Sequence, residues 1–529
     1  MRALTPVLMM VVFALCSRAD TYIRQPAVDV VHYDISLDLT DNSDSINATA
    51  KIHVRIRGES VSRMRLDFAG MKMESLRIHG KPRQFTCRNG SLWFDLDRIY
   101  NPDEIAIVEI RYHGKPDRGF LIGKNRHGRR VFFTENWPDS AHHWIPSIDH
   151  PSDKASVRMT VAAPLKYSVV SNGRLLKEER LSNGRKSTQW LESKAIPTYC
   201  IALGVAEFSI VHQPDYNGVP VDWYTYREDA EFAARKFRST RAALEYFSSL
   251  IAPYPYEKLA QVEATVAFDG MENASAIFYA ESSIRKSPGT DEPVPHEIAH
   301  QWFGDSVTQS DWDHLWLSEG FATYFEALFY EHISGAETLK QTMDGYALRL
   351  LGDKSAQQAP IIDPAQTDLV KKLNLLNYDK GAWVLHMLRG VMGDDCFFKG
   401  IRRYYRSYEG LNTTSEGLRI TMEEACGNSL AVFFNQWLHQ AGWPEYEIEW
   451  HWNEADGAVE ISIRQAQATG LFDAALEIAF AGEGWTEIRK FRIFERKHSL
   501  QIQLKSKPSA IQVDPNEWIL KSLSIKELP

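Results

Sequence analysis

The chain has 529 residues and a mass of 60.5 kDa, with 44% hydrophobic, 12% aromatic and 24% charged residues. These are globular fractions, which exclude a disordered, collagen-like or coiled-coil chain. A net charge of -9 with no basic excess argues against a nucleic-acid-binding surface. At about 150 residues per domain, the length predicts three or four domains.

Residues 1–19 read as a secretory signal peptide. Arg2 is followed by an apolar run over 4–16 and by Ser17-Arg18-Ala19, with small residues at 17 and 19 before a cut. The run is shorter than the ~20 residues a membrane span needs, and no later stretch is long enough. The sequence therefore predicts export, to the periplasm or outside the cell, with no membrane span.

From about 21 to 215 the apolar residues alternate. Tyr33, Ile35, Leu37 and Leu39 form one run, Ile52, Val54 and Ile56 another, and Val157, Met159 and Val161 a third. Period two between turn residues predicts antiparallel strands with one wet face. Asn89-Gly90 and Asn172-Gly173 read as tight turns. From about 229 the period becomes helical, with Ala233, Phe237, Thr240, Leu244 and Phe247 on one face. Helices are expected from Pro295 to about Leu438, and Gly442-Trp443-Pro444 closes that block. Alternation then returns at Tyr446, Ile448, Trp450 and Trp452, which predicts a small C-terminal β-sandwich. The boundaries read as 20–215, 216–442 and 443–529. Of the four cysteines after Cys16, only Cys396 and Cys426 share one helical region, and the sequence cannot supply the geometry a bridge needs.

His296-Glu297-Ile298-Ala299-His300 carries the strongest chemical signal. Positions i and i+4 share a helix face, so both imidazoles can reach one metal ion, and Glu297 can act as general base on a metal-bound water. A catalytic zinc usually takes three protein ligands, and two His with one Glu is a known set. Glu319, in Trp316-Leu317-Ser318-Glu319-Gly320-Phe321-Ala322, is the third candidate. Glu326, two turns further on, is a candidate outer support or a surface charge. His142, His143 and His150 show no ligand spacing and read as ordinary histidines.

HEIAH and WLSEGFA together resemble the gluzincin zinc aminopeptidases, the group of aminopeptidase N and leukotriene epoxide hydrolase. Asp269-Gly270-Met271-Glu272-Asn273 resembles that family's G-x-M-E-N motif, and Asn377-Tyr378-Asp379-Lys380-Gly381 its tyrosine motif. The resemblance implies an α+β multidomain protein: an N-terminal β-sandwich, a thermolysin-like mostly helical catalytic domain, and the small C-terminal β-sandwich. It implies one zinc per chain on His296, His300 and Glu319. Catalysis falls to Glu297 and Tyr378, the latter stabilising the oxyanion. Glu272 grips the substrate's α-amine, and Gly270 and Met271 line its first residue. Glu135, in Thr134-Glu135-Asn136-Trp137, is the candidate for a second amine-binding side chain, although that stretch matches poorly.

Three residues depart from the family pattern. Asp269 replaces a glycine, Asp305 stands where Asn is usual, and Ser318 replaces the Asn before the zinc glutamate. The chain also ends after the small β domain, so a more open cleft is expected. The implied activity is removal of the N-terminal residue from peptides with a free N-terminus. An endopeptidase or an epoxide hydrolase remains open as an alternative, and a non-catalytic scaffold is disfavoured because no ligand or base is missing. The preferred residue and the oligomeric state are not legible in the sequence.

Overall fold

The computed structural model describes residues 20–286 and 293–529. The segment 1–19, read as a signal peptide, lies outside the described residues. Among those described, no helix is long and apolar enough to cross a membrane.

The N-terminal region is β-rich, as its alternation predicts. Val28–Asp38 pairs antiparallel with Ile46–Ile56 and parallel with Lys154–Pro164, so the three predicted runs are adjacent strands of one eight-stranded sheet. Val30, Tyr33, Ile35 and Leu37 are buried from one of these strands, and Ile52, Val54 and Ile56 from its neighbour. Asn89 and Gly90 both adopt positive φ, 49° and 71°, and join Phe85–Arg88 to Ser91–Tyr100 in a two-residue hairpin. Asn172-Gly173 behaves differently. Its flanking strands, Ser168–Ser171 and Arg174–Arg180, belong to different sheets. The turn transfers the chain between sheets, with Gly173 (φ 72°) pressed against Leu191, where a Cβ would lie 2.0 Å from the carbonyl oxygen.

A five-stranded sheet opens the middle region, in the order Ser209–Tyr216, Val219–Thr225, Leu259–Ala264, Ala276–Ala280, Gly270–Met271. The boundary read at 215/216 falls within its first strand. The helical face over 233–247 is divided between Ala230–Lys236 and Thr240–Leu250 by a short 3₁₀ turn. Helices follow at Pro293–His300, Trp316–Ser334, Ala336–Gly352, Gly381–Met392, Asp394–Tyr408, Ser415–Cys426 and Ala431–His439. Cys396 and Cys426 are bridged, with Cα atoms 5.8 Å apart, tying two of these helices together. Cys87 and Cys200 are free. The C-terminal strands form a four-stranded sheet that begins with Glu445–Asn453 and a three-stranded sheet around Ala474–Gly482.

Candidate active site

One helical turn separates His296 from His300 on Pro293–His300, and their Nε2 atoms lie 3.1 Å apart. Glu319, in the first turn of Trp316–Ser334, brings Oε2 to 3.5 Å from His296 Nε2 and 3.4 Å from His300 Nε2. Donors at the zinc distance of ~2.0–2.1 Å in tetrahedral array stand about 3.3 Å from one another. The three atoms therefore fit a single zinc-sized ion. Their protonation fits too. Burial would neutralise all three side chains, yet the histidines and Glu319 hold each other charged: Glu319 is held at about 2, His300 is raised to about 9, and His296 is also raised. A divalent cation would take the place of those imidazole protons.

Outer contacts orient these side chains. His296 Nδ1 faces the Glu326 carboxylate at 3.5 Å, from the same helix as Glu319 and two turns on. His300 Nδ1 lies 3.1 Å from the Phe303 carbonyl and 3.1 Å from Ser318 Oγ. Such partners fix the tautomer and the ring orientation of a metal-ligating histidine. Ser318 thus makes contact with His300 despite departing from the family's Asn. Gly304 leaves room for it, because a Cβ there would lie 2.4 Å from Ser318 Oγ.

Tyr378 sits in a single π-turn, Leu376–Lys380, that runs directly into Gly381–Met392. Its ring stacks on His296, with centroids 6.0 Å apart and planes 6° off parallel. Burial, and then the Glu319 and Glu272 carboxylates, push its pKa well up, so the phenol keeps its proton as a donor. Two features missed in the sequence hold it there. Gly320 and Gly381 meet backbone to backbone: a Cβ on Gly320 would lie 2.8 Å from the Gly381 Cα. Asp379 takes a bidentate pair from Arg349, at 2.8 Å on each oxygen. The signals were present, a glycine beside the ligand and another beside the tyrosine, but nothing local says that they touch.

Glu297 is buried, and its carboxylate lies against the strand Gly270–Met271. A Cβ at Gly270 would stand 2.2 Å from Glu297 Oε1, so a side chain there would displace the carboxylate from this place. Burial pushes Glu297 up to about 8, with the two imidazoles opposing and Glu272 and Glu319 adding to the rise. Glu272 is 6% exposed, and its pKa is raised chiefly by burial. Donor atoms of Glu272, Glu297 and His300 all lie within 4.8 Å of one another. Among the described residues, this trio and the His296–His300–Glu319 trio are the groups close enough for one ion, and they share His300. Met271 is buried beside them, and Gly270–Met271 forms the edge of its sheet.

The remaining candidates fall outside this group. Glu135 ends the strand Arg130–Glu135 and accepts from the Ala267 backbone N–H at 2.6 Å. It holds the segment entering Gly270. Asp269 adopts no left-handed backbone and pairs with Lys286, so its extra carboxylate already has a cation. His142, His143 and His150 each meet their own carboxylate, Asp149 at 2.8 Å, Asp117 at 2.7 Å and Asp20 at 2.8 Å. A cleft of about 740 Å³ opens beside the metal donors, lined in part by Asp269, Lys286, His296, Glu326, Tyr346 and Tyr378.

Comparison with known proteins matches residues 30–200 to the peptidase M1 N-terminal domain and residues 235–437 to the peptidase family M1 domain. The chain is similar to glutamyl aminopeptidase of Rattus norvegicus, 28% identical over 65% of this chain and 38% of that protein. It is similar to aminopeptidase M1-B of Oryza sativa, 30% identical over 62% and 39%. Leucyl aminopeptidase of Saccharolobus solfataricus is 24% identical over 80% and 54%. The chain thus spans about half or less of the length of these relatives.

Proposed function

Because the chain belongs to the peptidase M1 family, we propose that it is a zinc-dependent aminopeptidase that removes the first residue from peptides with a free α-amine. The observation that carries this reading is Glu272, a buried carboxylate within 4.8 Å of the Glu297 and His300 donors. It offers a negative partner for an ammonium one residue away from the bond to be cut. An endopeptidase would have no use for a buried carboxylate there.

His296, His300 and Glu319 would hold one zinc ion per chain. When bound, zinc supplies a Lewis acid and makes water a nucleophile near neutral pH. The protein residues do the rest. Glu272 binds the substrate ammonium by charge-assisted hydrogen bonds. The edge strand Gly270–Met271 pairs with the substrate backbone as with an added strand. Glu297 accepts the proton of the attacking water and later passes it to the leaving amine, a task suited to a carboxyl raised toward neutrality. Tyr378 donates to the carbonyl oxygen as negative charge gathers there. Glu135 supports the segment that carries Gly270 and Glu272.

The β-rich ends are read as sandwiches flanking a thermolysin-like catalytic domain. Export is supported by the 1–19 pattern and by the Cys396–Cys426 bridge, which suits an oxidising compartment. Intact mass of the protein from its native host checks the cut after Ala19.

A panel of chromogenic amino-acid and peptide substrates, each with a free and an N-acetylated amine, tests the function. The expected result is rapid turnover of free amines and poor turnover of acetylated ones. Equal rates on free, acetylated and internal bonds would replace this reading with the endopeptidase.

A further inference from the structure

We infer that Gln301 is a positioning residue for the amine-binding carboxylate, acting through the turn that carries Glu272; the inference rests on the aminopeptidase reading above. Gln301 follows the second histidine of the motif, and its side chain is fully buried. Its amide makes four hydrogen bonds. Nε2 donates to the Glu272 carbonyl at 2.9 Å and to Asp305 Oδ2 at 2.8 Å. Oε1 accepts from the Ser275 backbone N–H at 2.7 Å and from the Tyr254 hydroxyl at 3.1 Å. The amide orientation is dictated by the backbone, since Ser275 N–H can only donate and Glu272 C=O can only accept.

Those two backbone groups are the pair that would close a four-residue turn over Glu272–Ser275 by its own i to i+3 bond. The Gln301 amide stands between them and takes both. The turn is thereby held open, and the carbonyl of Glu272 is pinned to the residue next to His300. Ser275 is fixed in a left-handed backbone (φ 63°) and is further held by Lys258 Nζ on its carbonyl at 3.1 Å and by the Gly173 N–H on its hydroxyl at 2.7 Å. One end of the turn is therefore anchored in several ways, while Gln301 is the side chain that links the Glu272 end to the metal helix. Asp305, the residue that departs from the family's Asn, receives the second amide proton and keeps the amide in its plane.

Removing the amide lets the turn close on itself. The fold survives, because Ser275 N–H and Glu272 C=O can then satisfy one another, but Glu272 shifts relative to the metal donors. A displacement of ~1 Å in a positioned group can cost on the order of 10²-fold in rate. Since Glu272 binds the ammonium and does not touch the reacting carbonyl, the loss falls on KM.

The test compares Gln301→Met, Gln301→Asn, whose amide is one methylene short of the turn, and Tyr254→Phe, which removes a bond to the same amide but leaves the Glu272 carbonyl held. Each zinc-loaded protein is assayed on matched free-amine and N-acetyl substrates, with metal content and Tm recorded. Gln301→Met and Gln301→Asn should keep one zinc and show KM on free amines raised about 10- to 100-fold, with kcat and the acetylated rate little changed. Tyr254→Phe should keep the parent's discrimination even where its Tm falls. If both Gln301 variants discriminate as the parent does, or if kcat falls and KM rises together in step with Tm in all three, the positioning role is overturned while the aminopeptidase reading stands. A parent that does not discriminate overturns both.

Discussion

The cluster of His296, His300 and Glu319 and the corner that carries Glu272 lie against each other but are held by different kinds of structure. His296, His300 and Glu319 ride on two helices whose buried faces include Ile298, Ala299, Phe321, Ala322 and Phe325. Their spacing follows from helix geometry, one turn between the histidines and a second helix packed across them. Glu272 instead sits in a turn after a two-residue edge strand, where position depends on hydrogen bonds from residues distant in sequence. Side chains fixed by a packed helix face resist small changes nearby. A turn fixed by single polar contacts does not. In the proposed function, the zinc chemistry would thus rest on the rigid half, and the restriction to a free amine on the half that can be shifted.

The largest expected effect lies on the rigid half. Glu319→Ala leaves two imidazoles, one ligand short of a catalytic zinc set. Metal affinity should drop by more than the roughly 10- to 100-fold that an outer partner is worth, and titration with a zinc indicator measures it. Full zinc in that variant would remove Glu319 from the ligand set. Next comes Tyr378→Phe, which should lower kcat by ~10²–10³-fold with little change in KM, the pattern of a donor used only as charge develops. A change confined to KM would make Tyr378 a binding residue. Smallest is Gly381→Ala, which forces a methyl against the Gly320 backbone. Overpacking of this kind costs about 1–3 kcal/mol, readable as a lower denaturant midpoint, with a kcat loss because the Tyr378 turn is displaced. An unchanged midpoint would show that the helices part freely there.

Legibility in the sequence follows the same division. The strands at Tyr33–Leu39 and Ile52–Ile56, the motif helix and the C-terminal alternation were readable because each pattern is local and periodic. The hairpin at Asn89-Gly90 was readable for the same reason. Asn172-Gly173 carries the same residues yet moves the chain between sheets, a choice made by packing against Leu191 that no local pattern records. In the site, His296, His300 and Glu319 were legible from spacing. Glu272 and Tyr378 were recognised only through family resemblance, since each taken alone is an ordinary buried carboxylate or tyrosine. Gln301, Arg349 and the Gly320–Gly381 contact were not legible, because their partners lie tens of residues away and no spacing links them. Glu135, taken from a poorly matching stretch as a second amine-binding side chain, accepts from the Ala267 backbone N–H, in the segment that leads to Gly270 and Glu272.

The most direct test of the account is Glu272→Ala, assayed for zinc content and for kcat/KM on a matched pair of free-amine and N-acetyl substrates. Losing a charge-assisted contact to a desolvated ammonium costs about 2–5 kcal/mol. The variant should therefore keep one zinc per chain and lose roughly two or more decades of kcat/KM on the free amine, with the acetylated rate unchanged. A variant that retains zinc and still prefers the free amine as strongly as the parent would contradict the account, because the specificity would then come from another part of the cleft.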